Sequence, residues 1–130
     1  MSKSPSHAVT VVREFWQLMA TNDFSSVGAV LADDFVLEWP QSRERIRGKE
    51  RFAQMNFEYP ASGPWRFSVR RIIGNATEAS SEVTVTDGSQ QATAISFFTV
   101  VAGKIIRIVE YWPEPYPAPV NRNPLAEPMQ

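Results

Sequence analysis

The sequence predicts an α+β fold in which three helices cover one face of a curved antiparallel sheet. Residues 8–59 contain three stretches whose apolar residues recur at helical spacing, interrupted by one short alternating stretch. Residues 65–112 contain strand-like stretches instead, separated by Gly and Asp-Gly turn signals. Helices followed by a run of hairpins are typical of the α+β class. The predicted strands are about ten residues long, and strands of that length twist, so we expect the sheet to curve.

The helical half is predicted from apolar spacing and from residues that cap or break helices. The first helix covers residues 8–20, with Ser4 or Ser6 available as its N-terminal cap. Asp23 is suited to cap a second, shorter helix. A strand follows and ends at Pro40.

The polar segment 41–47 is predicted as a loop, and a third helix begins at Gly48. Asn56 lies on the apolar stripe of this helix, which also includes Tyr59. An amide in that position either bonds to a backbone group or orients a ligand carbonyl, and the sequence leaves both open.

Alternation along the strands of the second half assigns their side chains to two faces. Arg71 then shares an otherwise apolar face with Phe67. In the last strand, Ile106 shares a face with Glu110 and Trp112. Both faces of this last strand are mostly apolar, so we expect Glu110 to be at least partly buried.

Composition limits the classes of function. A chain of 130 residues suggests one domain, with a core at about residues 8–117 and an extended proline-rich tail at 118–130. The net charge of −1 gives no reason to expect a nucleic acid or a membrane surface as partner, and no apolar stretch is long enough for a membrane span. With one His and no Cys, we expect neither a metal site nor a cofactor. A cytoplasmic location is the default expectation.

Glu110 is the candidate catalytic residue. Burial raises the pKa of a carboxyl group, and a carboxyl group that titrates near neutral pH can act as a general acid or base. The alternative is an ion pair with Arg71, which also lies on an apolar strand face. The two interpretations are compatible if the pair lines a pocket.

Further residues are candidates for ligand binding because apolar pockets contain aromatic walls and few polar groups. Trp39 and Trp112 each end a predicted strand beside a proline, where a pocket rim is expected. The complete set of candidate ligand-binding residues is Trp16, Trp39, Asn56, Tyr59, Arg71, Ser96 and Trp112.

The segments "FWQLMATNDFSSVGAVLADDFVLEWP", "IRGKERFAQM" and "KIIRIVEYWPEPY" resemble the NTF2-like superfamily, and most closely its SnoaL-like members. The resemblance covers about residues 8–117. It implies a cone, in which a curved antiparallel sheet wraps around three helices and encloses an internal apolar pocket. It also implies a homodimer formed through the sheet. We expect the proline-rich tail to pack over the open end of the cone or over the partner, with Tyr116 as its anchor.

The superfamily's ketosteroid isomerases use three polar residues at positions that match Phe15, Trp39 and, approximately, Ser96. Because none of these three is the required residue type, isomerase chemistry of that kind is not supported. SnoaL-like cyclases use an acid on the later strands and no cofactor, and Glu110 lies at a comparable place.

Two functions are therefore compatible with the sequence. In the first, the protein is a cofactor-free cyclase, isomerase or lyase that acts on a small apolar carbonyl compound, with Glu110 as acid or base. In the second, it is a non-catalytic ligand-binding or dimeric assembly module in which Glu110 pairs with Arg71.

Overall fold

Two α-helices, one 3₁₀ helix and six strands make up the computed structural model, which describes residues 5–120 and 125–129. Among these residues, no helix is long and apolar enough to cross a membrane. The elements in chain order are α1 (His7–Ala20), the 3₁₀ helix (Phe24–Val30), β1 (Leu31–Trp39), β2 (Glu44–Arg47), α2 (Lys49–Glu58), β3 (Arg66–Gly74), β4 (Glu78–Thr86), β5 (Gln91–Val101) and β6 (Lys104–Tyr111).

The six strands form one sheet in the order β2-β1-β6-β5-β4-β3. Strands β3 to β6 are a meander of antiparallel hairpins, as predicted, but β1 pairs with β6 in parallel, so the sheet is mixed rather than antiparallel. The prediction of a loop at 41–47 is wrong, because Glu44–Arg47 pairs with β1 as an edge strand. Charged residues are common on edge strands, which is why this strand looks like a loop in the sequence.

Aromatic side chains fill the space between the helices and the sheet. Phe15 of α1 lies at the centre, with ring centroids 5.0 Å from Trp16, 5.3 Å from Phe98 and 6.0 Å from Phe52. These edge-to-face and tilted contacts are favoured geometries for aromatic pairs. Aromatic rings thus lie at the centre of the space where the internal apolar pocket is expected, and the pocket itself stays a prediction.

Two register shifts change which side chains point inward. In β3 the register shifts between Val69 and Arg71, so Arg71 pairs with Glu82 on the outer face and the assignment of Arg71 to the face of Phe67 is wrong. A β-bulge of this kind reverses the alternation beyond it.

A second shift lies in the β5–β6 ladder, between Thr99 and Val100. As a result Ile105, rather than Ile106, is buried on the same side as Ile108 and Glu110. The assignment of Ile106 to the face of Glu110 is therefore wrong, whereas the burial of Glu110 itself is confirmed.

The β4–β5 hairpin confirms the predicted Asp-Gly turn. Asp87 Oδ1 accepts hydrogen bonds from the backbone N–H groups of Ser89 and Gln90, and Oδ2 accepts one from the backbone N–H of Ser62. Gly88 has φ +99°, a conformation that favours glycine. Asp87 therefore holds the turn and fastens it to the segment that follows α2.

The chain after β6 forms neither helix nor strand in its described part, and Tyr116 is 75% exposed. The expectation that Tyr116 anchors the tail over the open end of its own cone is therefore wrong, and packing over a partner stays a prediction. Residues 121–124 and 130 of the expected tail, and the proposed cap Ser4, lie outside the described residues.

Candidate functional site

On the inner face of the sheet, a buried carboxyl group accepts hydrogen bonds from three side chains. Glu110 is 7% exposed. Its Oε1 accepts the indole N–H of Trp39 at 3.0 Å and that of Trp112 at 3.1 Å. Its Oε2 accepts the hydroxyl of Ser96 at 2.7 Å. Trp39, Ser96 and Trp112 are thus the three candidate ligand-binding residues that the structure brings to Glu110.

Strand register explains why these residues meet. Ser96 of β5 lies directly opposite Glu110 of β6. Glu38 of β1 pairs with Val109 of β6 in parallel, so Trp39 lies beside Glu110 one residue further along both strands. Trp112 follows Glu110 by two residues and extends to the same side. The cluster therefore spans three neighbouring strands, at the C-terminal ends of β1 and β6 and in the middle of β5.

Burial raises the pKa of the Glu110 carboxyl group above its usual value, and the hydrogen bonds from Trp39, Ser96 and Trp112 act in the opposite direction. None of the described Lys or Arg residues forms an ion pair with Glu110. The predicted pair with Arg71 is wrong, because Arg71 donates to Glu82 at 2.8 Å on the outer face. Desolvation without a compensating cation favours the protonated form.

The hydrogen-bonding capacity of the three partners places the proton of Glu110. An ionised carboxylate has about four acceptor sites, two on each oxygen, and among the described residues two donors bond to Oε1 and one to Oε2. An indole N–H only donates, so Oε1 is committed as an acceptor in both protonation states. The Ser96 hydroxyl can donate or accept, so a protonated Oε2 can donate to it. When Glu110 is protonated, Oε2 is therefore the oxygen that can hold the proton while all three hydrogen bonds are kept.

The remaining candidate ligand-binding residues lie apart from Glu110. Trp16 donates its indole N–H to Ser81 at 3.0 Å inside the core. Asn56 donates to the backbone carbonyl of Phe52, one turn earlier in α2, at 2.9 Å. The side chain of Asn56 therefore bonds to a backbone group of its own helix, which is the first of the two roles that the sequence leaves open for it.

Tyr59 lines a surface pocket of about 450 Å³ between β2 and α2. A second surface pocket, of about 630 Å³, lies where β1 and β6 begin. Neither pocket includes Glu110. The residues lining the first pocket are Arg45, Ile46, Arg51, Gln54, Met55, Glu58, Tyr59 and Pro60.

Among the described residues, no group of three or more acidic or His side chains could hold a metal ion.

Residues 12–108 match the family model of the SnoaL-like domain. The chain belongs to the SnoaL-like family. A comparison with curated proteins gave no match.

Solved structures of similar proteins carry the same fold. The SnoaL-like chain is 29% identical to a putative ketosteroid isomerase from Kribbella flavida, with a TM-score of 0.88 over 98% of this chain and 93% of that one. It is 25% identical to an NTF-2-like protein of unknown function from Burkholderia xenovorans, with a TM-score of 0.77 over 96% and 97% of the two chains. It is also 25% identical to an LEH-like epoxide hydrolase from M. tuberculosis, with a TM-score of 0.68 over 84% of each chain.

Sequence reasoning did not single out Gln41, whose side chain bonds to the backbone of Trp112. Gln41 lies in the turn between β1 and β2 and follows Pro40, so the sequence indicates a turn here but not the bonds of this side chain. Ser81, which accepts the indole N–H of Trp16, is a second polar residue that the sequence did not indicate. A hydrogen bond between distant residues leaves no local signal in a single sequence.

Proposed function

We propose that this SnoaL-like protein binds a small, largely apolar carbonyl compound and transfers a proton on it without a cofactor, with Glu110 as the acid or base. The observation that carries the proposal is the buried Glu110 carboxyl group, which forms no ion pair with the described Lys and Arg residues and whose Oε2 bonds to a hydroxyl that can donate or accept. A carboxyl group whose pKa is raised toward neutrality suits general acid–base catalysis.

The proposed step needs only groups of this cluster. Ionised Glu110 takes a proton from the carbon next to the substrate carbonyl, and the electron pair of the broken C–H bond moves to form an enolate. Protonated Oε2 then returns the proton to another position. Ser96 stabilises the ionised form by donating to Oε2 at 2.7 Å.

The substrate approaches at the end of the cone where Trp39 and Trp112 lie. Both indoles are partly exposed and both contact Glu110, so they form the boundary between the carboxyl group and solvent. The aromatic rings around Phe15 occupy the deeper interior. Apolar contact with the indole faces supplies binding energy, as is usual for aromatic-lined sites.

This chain is similar to a putative ketosteroid isomerase, but it lacks the three polar residues of that enzyme class at the positions where the sequence resemblance places them. Trp39 and Ser96 occupy two of those positions, and here both donate to Glu110. Phe15, at the third, is buried among aromatic rings. The proposal is therefore proton transfer by Glu110 alone, rather than by that set of residues.

Glu110→Gln tests the proposal because glutamine fits the site. Its amide oxygen accepts both indole N–H groups, and its NH₂ donates to the Ser96 hydroxyl. The variant keeps the fold and removes the proton-transfer group. We expect deuterium exchange from D₂O into the α-carbon of small cyclic ketones such as cyclohexenone, followed by NMR, to fall by at least about 10²-fold. Glu82→Gln, on the outer face, is the matched control. Equal exchange in wild type and Glu110→Gln would contradict the proposal.

A second candidate, a non-catalytic dimeric module, is favoured by the outer face of the sheet. Phe97 and Tyr111 are partly exposed there and pack edge to face, with ring centroids 6.2 Å apart. Exposed apolar strand faces are typical of interfaces. We expect Phe97→Ser to shift sedimentation equilibrium toward the monomer. Unchanged sedimentation would argue against dimerisation through this face, whatever the outcome for Glu110.

A further inference from the structure

We propose that Gln41 is a positioning residue that holds the Trp112 indole against the Glu110 carboxyl group. Trp112 follows the last residue of β6. The antiparallel ladder with β5 ends at the pair Ile95–Tyr111, so the backbone of Trp112 lies beyond that ladder. This inference rests on the proposed role of Glu110.

The side chain of Gln41 supplies the missing partners. Its Oε1 accepts the backbone N–H of Trp112 at 2.6 Å, and its Nε2 donates to the backbone C=O of Trp112 at 3.4 Å. A side-chain amide has the same donor and acceptor as a peptide group. Gln41 therefore replaces a neighbouring strand at a position where the sheet has ended.

The other two donors to Glu110 do not depend on such a bond. Trp39 pairs with Glu44 in the β1–β2 ladder, and Ser96 pairs with Ser81 and Glu110 in the β4–β5 and β5–β6 ladders. Trp112 is followed by Pro113, which has no N–H to donate. Of the three donors, Trp112 is thus the one whose backbone is held by a side chain.

The chemical consequence is control of the charge on Glu110. An N–H donor stabilises the ionised carboxylate, so moving the Trp112 indole away favours the protonated form. Glu38, Arg45 and Arg107 lie on the outer face, where Glu38 pairs with both arginines. Glu44, opposite Trp39 in the β1–β2 ladder, is exposed to solvent. Glu110 has no direct contact with Gln41 among the hydrogen bonds described, so Gln41 acts through Trp112.

The test is the titration of the Glu110 side-chain carboxyl carbon by ¹³C NMR, with the resonance assigned by its absence in Glu110→Gln. We expect Gln41→Leu to move the midpoint to higher pH, in the same direction as Trp112→Phe. Gln54→Leu removes another exposed glutamine that bonds to a side chain, that of Glu58, and leaves the midpoint unchanged. An unchanged midpoint in Gln41→Leu overturns the inference, since loss of stability alone does not move it.

The double variant Gln41→Leu/Trp112→Phe identifies the route. If Gln41 acts through the indole, the double variant titrates like Trp112→Phe alone, and a further shift overturns the inference.

Should Gln41→Leu not fold, Gln41→Glu keeps the acceptor for the Trp112 N–H. Its Trp112 indole then stays protected from hydrogen exchange as in wild type, and loss of that protection overturns the inference. None of these readouts requires turnover, so failure of the proposed reaction is distinguishable from failure of the positioning role.

Discussion

Asp87 and Glu110 are two acids with almost the same exposure, 6% and 7%, and opposite pKa shifts. The side chain of Gln90 and backbone N–H groups of Ser62, Gln90 and Ser89 hold the pKa of Asp87 well below its usual value. Burial raises the pKa of Glu110 because its three side-chain donors do not compensate for desolvation.

The difference lies in the surroundings of each carboxyl group. Asp87 lies in a surface turn whose next residues are exposed, and its donors are largely backbone groups. Glu110 lies against two indoles and a fully buried serine. Asp87, which holds a turn in place, is stabilised as an anion, whereas Glu110 lies where its charge is disfavoured, as the proposed proton transfer requires.

The largest expected effect is that of Glu110→Ala. The substitution leaves two indole N–H groups and the buried Ser96 hydroxyl without their acceptor, and it opens a cavity beside Trp39 and Trp112. We expect the free energy of unfolding in urea to fall by about 3 kcal/mol. A loss below about 1 kcal/mol would mean that the cluster contributes little to the fold.

Asp87→Asn is expected to destabilise the protein less, because water reaches the turn. Asparagine offers one acceptor oxygen where both carboxylate oxygens of Asp87 are used. Since the folded pKa is lowered, the stabilisation by Asp87 is present above the ordinary pKa of 3.8 and is lost as pH falls below it. Urea unfolding between about pH 5 and 8 should give a constant difference from wild type. A difference that varies across this range would show that Asp87 is not ionised throughout.

Glu110→Gln is expected to have the smallest effect on the free energy of unfolding, and the pH dependence arising from Glu110 is opposite in sign to that arising from Asp87. The ordinary pKa is 4.5 and the folded pKa is higher, so the contribution of Glu110 to wild-type folding stability falls as pH rises from 4.5 through the folded pKa. Glutamine does not titrate. The stability of Glu110→Gln relative to wild type should therefore increase across this window and stay constant above it. A relative stability that decreases with pH would contradict the raised pKa.

Alternation along β6 and the two strand-ending tryptophans were enough to predict much of the cluster. Glu110 is buried, and both Trp39 and Trp112 contact it. Helical spacing likewise predicted α1 and α2. A helix or strand with one buried face has apolar residues at regular spacing in the sequence, so helices and strand faces can be predicted without a structure.

The bulge in β3 was not predictable, and it places Arg71 on the outer face. The strand order, which puts β3 three strands away from β6, separates Arg71 from Glu110 and was not predictable either. A single inserted residue changes no composition or spacing signal, yet it reverses every side chain beyond it. The parallel pairing of β1 with β6 and the bonds of Gln41 also depend on contacts between distant residues. The choice between an ion pair and an isolated carboxyl group therefore required the structure.

The raised pKa of Glu110, on which the proposed proton transfer depends, is tested by ¹³C titration of its carboxyl group in the wild-type protein. A midpoint clearly above the ordinary value of 4.5 is the predicted result, because burial without a neighbouring cation favours the protonated acid. A midpoint at or below 4.5 would contradict the claim, since Glu110 would then be an ordinary stabilised carboxylate like Asp87.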